Sequence, residues 1–171
     1  MRTLLLLRHA KSDWNESRLD DFDRKLAPRG RDAAPKIGRW LAENGLFPDV
    51  ALVSSARRAQ ETWDLVAPQV GGRTDVRRER ALYLATPGEI LAVLGAVDPA
   101  ARCVVIVGHN PGFESLAGML AGAGSDADAA ANLARGFPTA GLALFAVDSE
   151  TWRDVATASV RLVRFVRPRE L

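Results

Sequence analysis

Three short runs of apolar residues, each closed by a polar cluster, constrain this chain more than any other feature. They are residues 4–7 (Leu-Leu-Leu-Leu), 49–53 (Asp-Val-Ala-Leu-Val) and 103–107 (Cys-Val-Val-Ile-Val). Each is too short for a helix and lacks the alternation of a strand with one wet face. Each therefore reads as a strand buried on both sides. The intervening segments carry helical signals. Residues 28–44 place Ile37, Trp40 and Leu41 on one face and stop at Gly45. A second helix opens at Ser54-Ser55 and runs through Trp63 and Leu65 towards Pro68. A third spans 87–97 with Pro87 near its start, where its missing N–H costs nothing. Residues 113–120 and the Ala-rich 123–135 read as two more helices, 74–77 as a short strand, and 8–26 as a polar loop. The strands 142–147 and 154–166 read as a hairpin with a turn near Ser149. Strands alternating with helices predict an α/β fold: a three-layer sandwich whose mostly parallel, mixed sheet has helices on both faces. At 171 residues, with no repeat or long linker, the chain is expected to form a single domain, 1–171.

The same composition narrows the partners. Net charge is only +2, and no dense Lys/Arg block with interleaved aromatics occurs, so nucleic acid is not expected. The leucine run after Arg2 ends at Arg8, too short for a signal-peptide core, and no stretch approaches a membrane span. These features predict a cytoplasmic protein without a membrane partner. The lone Cys103 can form neither an internal disulfide nor a Cys-rich zinc site, and it reads as a small buried hydrophobe.

Ligands in such sheets bind beyond the carboxyl ends of the strands. Three polar clusters fall there: Arg8-His9-Ala10-Lys11-Ser12, residues 54–62, and Gly108-His109-Asn110-Pro111. The chain has only two histidines, and both lie in these clusters. A neutral imidazole is a competent nucleophile near pH 7, and a neighbouring arginine disfavours its protonation. Arginine's planar fork matches the oxygens of a tetrahedral anion, and backbone N–H groups at the following helix starts add anion affinity. The sum is a donor-rich pocket suited to a phosphoryl group. Taken singly, a histidine at a strand end is more often a structural hydrogen-bonding residue. Two histidines with no third ligand at suitable spacing do not make a metal site.

At these residues the chain resembles the histidine phosphatase superfamily, the phosphoglycerate-mutase-like proteins. The family's Arg-His-Gly reads Arg8-His9-Ala10 here, a departure shared with SixA-type phosphohistidine phosphatases. Ser12, Trp14 and Asn15 resemble the Ser-x-Trp-Asn that follows in the mutase branch. Asp23, Leu26 and Gly30 fit its spaced Asp-x-x-Leu-x-x-x-Gly. Ser54, Arg58, Ala59 and Thr62 look like the second-arginine motif, and 107–111 like the second-histidine motif. The resemblance covers nearly the whole chain and implies a phosphoglycerate-mutase-like fold. It implies His9 as the nucleophile, with Arg8, Arg58 and His109 holding the phosphate oxygens. The Ala-x-x-Thr spacing selects Arg58 over its neighbour Arg57. Ser12, Asn15 and Asn110, the last through its main chain, are candidate substrate contacts; Lys11 and Thr139 read as rim and turn residues.

The resemblance thins at the general acid. Where the mutase branch carries a Glu, Tyr83 or Leu84 stands here. Glu79, Glu89, Asp20, Asp21 and Asp23 are the other candidates, and none is selected. A phosphate ester needs an acid to protonate its leaving alcohol, whereas a leaving imidazole is already near its pKa at neutral pH. The expected activity is therefore a metal-independent, cofactor-free phosphatase acting through phospho-His9 on phosphohistidine of a partner protein. The alternatives are a small-molecule phosphomonoesterase or mutase on the same scaffold, and a non-catalytic phosphate-binding module.

Overall fold

The computed structural model describes residues 1–16 and 18–171. Its elements run in the order β1 (Arg2–Arg8), α1 (Pro28–Glu43), β2 (Val50–Ser54), α2 (Arg57–Val70), β3 (Asp75–Glu79), α3 (Pro87–Gly95), β4 (Cys103–Gly108), α4 (Gly112–Leu120), α5 (Ala127–Ala134), β5 (Leu142–Asp148) and β6 (Ser159–Val166). The sheet order is β3-β2-β4-β1-β5-β6. The first four strands in that order are mutually parallel, and β5 and β6 add to the β1 edge antiparallel. This is the α/β architecture that the strand–helix alternation predicts.

The leucine run explains why β1 sits at the centre. Successive side chains of a strand point to opposite faces. Leu4 and Leu6 join one core with Ile90, Phe113, Leu116, Leu133 and Phe145. Leu5 and Leu7 join the other with Ile37, Leu41, Trp63 and Val66. Helices α3, α4 and α5 thus cover one face, and α1 and α2 the other. A strand sandwiched between two helical layers must be apolar on both sides, which is why no alternation is visible in its sequence.

Several boundaries differ from the sequence reading. Ser54 ends β2 rather than opening a helix; α2 begins at Arg57 and continues past Pro68 to Val70. The last strand begins at Ser159, not 154, so β5 and β6 are joined by a long connection instead of a tight turn. The reason is burial: Trp152 and Val155 within that connection are core residues. Trp152 Nε1 donates to the Ala101 carbonyl, and the buried Arg2 guanidinium lies against its ring while donating to the carbonyls of Pro99, Ala101, Ser149 and Glu150. The Ala-rich segment forms a helix only from Ala127, where the Asp126 side chain accepts the Ala129 N–H as a cap. Among the described residues no helix is long and apolar enough to cross a membrane.

Sheet order brings the three polar clusters together. β1 and β4 are neighbours, with Arg8 opposite Gly108, and β2 lies on the other side of β4. The loop after β1 then folds back on itself. Ser12 bridges Leu26, Asp13 N–H donates to the Lys25 carbonyl, and Ala27 N–H donates to that of Lys11. Gly30 permits this closure, because a β-carbon there would collide with the Lys11 carbonyl oxygen. Gly30→Ala is expected to lower stability by about 1–3 kcal/mol through overpacking. Urea unfolding measures the loss, and a variant as stable as wild type would disprove the close approach.

Candidate active site

The cleft beyond the strand ends has a volume of about 410 Å³, and Arg8, His9, Arg58, His109, Ser12 and Asn110 all line it. His9 is 6% exposed, His109 3% and Arg58 2%, so these groups are nearly withdrawn from water. The His9 backbone is pinned between strands: its N–H donates to the Gly108 carbonyl, and its carbonyl accepts from Ala140 N–H. The next residue, Ala10, donates its N–H to Thr62 Oγ1, which in turn donates to the Arg58 carbonyl. Thr62 thereby couples the His9 segment to the helix that carries Arg58.

The hydrogen bonds fix both imidazole tautomers. His9 Nδ1 faces the Ala10 carbonyl at 2.7 Å, and a carbonyl only accepts, so Nδ1 carries the proton. Nε2 is left with its lone pair, towards which Arg58 Nε–H points at 3.3 Å. Arg58 Nη2 approaches His109 Nδ1 at 3.4 Å, and arginine only donates. His109 therefore holds its proton on Nε2 and donates it to Ser54 Oγ at 2.7 Å. The ring centroids lie 5.2 Å apart.

Burial pushes the His9 pKa down to about 3, with His109, Arg58 and Arg8 acting in the same direction against the Ala10 carbonyl. His109 is also pushed down to about 3, first by burial, then by Arg58, with Arg8 and Arg24 adding to it against Asp21. Both rings are thus neutral at physiological pH despite lying in a cationic pocket. Burial likewise lowers Arg8, countered by Glu114. Arg8 Nη1 donates to the Phe137 carbonyl, while its buried Nε has no partner among the described residues.

Arg58 is the hub. Its Nη1 donates to the Asp21 carbonyl at 2.6 Å and its Nη2 to Asp21 Oδ2 at 3.0 Å. Asp21 Oδ1 accepts from Arg24 Nε and Nη2, and Tyr83 OH donates to Oδ2 at 2.6 Å. Partial burial raises the Asp21 carboxyl, but Tyr83, Arg24 and Arg58 together outweigh this and hold it well below the usual carboxylate range. Asp21 is therefore a fully engaged anion and not a poised acid. Arg24 also donates to Ser12 Oγ at 2.7 Å.

The structure brings together Arg8, His9, Arg58, His109, Ser12 and Asn110 from the sequence reading. Arg57, the rejected neighbour of Arg58, is exposed and paired with Glu61. Ser12 lines the cleft, with its hydroxyl occupied by Arg24. Asn110 turns its amide nitrogen towards Glu114 and the Phe137 carbonyl, leaving Oδ1 buried and unpartnered among the described residues. Asn15 is exposed and outside the lining; its N–H donates to the Asp13 carboxylate. Thr139 lines the cleft, and Lys11 is at the rim. Of the candidate acids, Asp20 and Asp23 are exposed and outside the lining, and Glu89 caps α3 by accepting from the Thr86 N–H. Sequence reasoning gave no role to Ser54 as the partner of His109, or to Arg24 and Tyr83. Asp21 was one acid among five. Among the described residues, no three His, Cys, Asp or Glu side chains group to hold a metal ion.

Two buried neutral histidines make stability depend on pH. Below pH 6.5 the unfolded chain takes up protons that the folded chain refuses until about pH 3. Their contribution is fully present above pH 6.5 and is lost as pH falls towards 3. The lowered Asp21 carboxyl acts in the same sense, in a window below the usual carboxylate range. The urea midpoint is therefore expected to be lower at pH 5 than at pH 7, with the difference reduced in His109→Gln. Equal midpoints at the two pH values would contradict the buried neutral state.

Comparison with known proteins agrees with this geometry. The profile of the Histidine phosphatase superfamily (branch 1) matches residues 4–83. An uncharacterized protein of Mycobacterium tuberculosis is 36% identical over 164 residues, covering 95% of this chain and 100% of the relative. Among solved structures, a putative phosphohistidine phosphatase SixA from Nakamurella multipartita superposes with TM-score 0.82 at 32% identity, covering 98% of this chain and 96% of the other. The corresponding putative protein from Agrobacterium tumefaciens gives TM-score 0.80 at 30% identity, with 98% of each chain covered. With two histidines and two arginines gathered at the carboxyl edge of a sheet shared along its whole length with these proteins, the chain belongs to the histidine phosphatase superfamily.

Proposed function

We propose that the chain, acting as one catalytic unit from residue 1 to 171, is a phosphatase that hydrolyses phosphohistidine on a partner protein through a phospho-His9 intermediate. The observation that carries the reading is the pairing of an unprotonated His9 Nε2 with a fully engaged Asp21. The first supplies a nucleophile. The second leaves the cleft, among the described residues, without a free carboxyl acid, which suits a leaving imidazole better than a leaving alcohol. The SixA-like neighbours point the same way.

In the first step His9 Nε2 attacks phosphorus, a new P–N bond forms and the substrate's P–N bond breaks. The departing imidazole takes a proton from solvent. In the second step water attacks phospho-His9, inorganic phosphate leaves, and the imidazole lone pair is restored. Arg58 stabilises the equatorial oxygens through its Nε/Nη2 edge, and Arg8 Nε is a further donor. The incoming dianion raises the His109 pKa, so that its Nδ1 gains a proton and becomes a donor. Electrostatic stabilisation of this kind is the main task of a phosphoryl-transfer site.

Rapid alkaline quenching with a labelled phosphohistidine donor is expected to leave an alkali-stable, acid-labile label on wild type and none on His9→Ala. Full turnover by His9→Ala would end the proposal, and far faster cleavage of phosphomonoesters than of phosphohistidine would favour the esterase reading. Arg58→Lys is expected to lower kcat/KM by about 10²-fold. A point charge cannot hold Asp21 with one edge and face His9 with the other. Steady-state kinetics checks this, and a loss under about threefold would remove Arg58 from its role as hub.

A further inference from the structure

The floor of the cleft is built for an oxyanion, and two exposed apolar side chains stand beside Lys11 and Thr139 in its lining. Trp14 is 68% exposed and Leu84 52% exposed, and both line the same cleft as His9. They are joined by a continuous chain of contacts. The Trp14 ring is stacked on the Arg24 guanidinium, 3.5 Å from carbon to ring centroid. Arg24 binds Asp21, Asp21 accepts from Tyr83, and Leu84 follows Tyr83 in the chain. One face of Trp14 is thus covered by a cation held in place by a carboxylate, and the ring is otherwise open. Leu84 has φ of +50°, a left-handed conformation uncommon for a residue other than glycine.

Geometry says what reaches this arc. In phosphoryl transfer the attacking and leaving atoms lie roughly in line. With His9 at the floor, the group that leaves phosphorus points to the mouth. A volume of about 410 Å³ lies in the range that takes an organic ligand rather than a bare tetrahedral ion. A flat ring with an apolar face and N–H edges suits a tryptophan backed by arginine, where aromatic contacts add to simple burial.

We propose that Trp14 and Leu84 form a leaving-group subsite in which the imidazole ring of the phosphohistidine substrate packs against the open face of Trp14 and the side chain of Leu84. This rests on the phosphohistidine reading above. It adds that the site recognises the ring that departs as well as the phosphoryl group that is transferred. The subsite makes phosphorylated rings better substrates than equally activated phosphoryl donors with a small leaving group.

The test compares N-phosphohistidine with phosphoramidate, which shares the P–N bond but releases ammonia. The readout is the ratio of kcat/KM for the two in wild type, Trp14→Ala, Trp14→Phe and Leu84→Gly. Glycine tolerates the positive φ, so Leu84→Gly removes the side chain without straining the turn. The ratio is expected to fall about tenfold in Trp14→Ala, less in Leu84→Gly, and to be largely restored in Trp14→Phe. Any loosening of Arg24, Asp21 and Arg58 slows both substrates alike and cancels in the ratio. A wild type that cleaves phosphohistidine but whose ratio is the same in all variants overturns the subsite and leaves the proposed activity intact. A wild type silent on both substrates overturns the activity and the subsite with it.

Discussion

The geometry of this site depends on how one guanidinium divides its two edges. Arg58 gives its Nη1/Nη2 edge to Asp21, which answers with a carbonyl and a carboxylate oxygen. That leaves the Nε/Nη2 edge facing His9 and His109. A 2% exposed arginine cannot be left with unmatched donors, because burying an unpaired charge is costly. Asp21 therefore supplies the compensation and fixes the rotation of the fork. It takes the Nη1/Nη2 edge, so it neutralises the arginine while the Nε/Nη2 edge stays turned to the two histidines.

The electrostatics follow from that arrangement. The pocket gathers Arg8, Arg24 and Arg58 around two imidazoles that are themselves buried. Burial alone already disfavours the imidazolium forms, and the arginines deepen the effect. His9 Nε2, the proposed nucleophile, is thus kept unprotonated without a dedicated base. Backbone structure completes the task, since the Ala10 carbonyl accepts a hydrogen bond from Nδ1–H and so leaves the lone pair on Nε2. Ser54 does the same for His109 with a side chain delivered by the end of β2.

The parts of this site carried by strand ends were legible in the sequence. His9, Ser54 and His109 each follow an apolar run, and the alternation of runs with helical patterns places their ends on one edge of a sheet. Arg58 was legible through its spacing to Ala59 and Thr62, and the structure shows the physical basis of the threonine in its bond to Ala10 N–H. The loop between Arg8 and Leu26 was not legible. Its conformation comes from a long-range closure in which Ser12 meets Leu26, and no local periodicity records such a pairing. Asp21 consequently could not be told from the other candidate acids, Arg24 and Tyr83 received no role, and Asn15 looked closer to the site than it is. The connection after β5 failed for a similar reason: Trp152 is core because Arg2 and Ala101, distant in sequence, surround it.

Tyr83 shows how the missing acid and the exposed rim are one design. A glutamate at this position would place a second carboxylate beside Asp21, and two adjacent carboxylates raise each other's pKa, which is how a general acid is made. A tyrosine hydroxyl does the opposite. It donates to Asp21, stabilises the anion, and keeps its own proton through burial and that bond. Its ring meets His109 and Phe22 edge-on, with centroids 5.5 and 5.0 Å away, so it also fixes the turn that presents Leu84. Exchanging an acid for a hydroxyl here locks Asp21 onto Arg58 and sets an apolar group at the mouth. Under the proposed function, the site then gains a better anchored clamp for phosphate and relinquishes proton donation to the leaving group. Under the proposed phosphohistidine reading, that exchange suits a leaving group that departs without help, and the identity of residue 83 goes with the class of bond proposed to be broken.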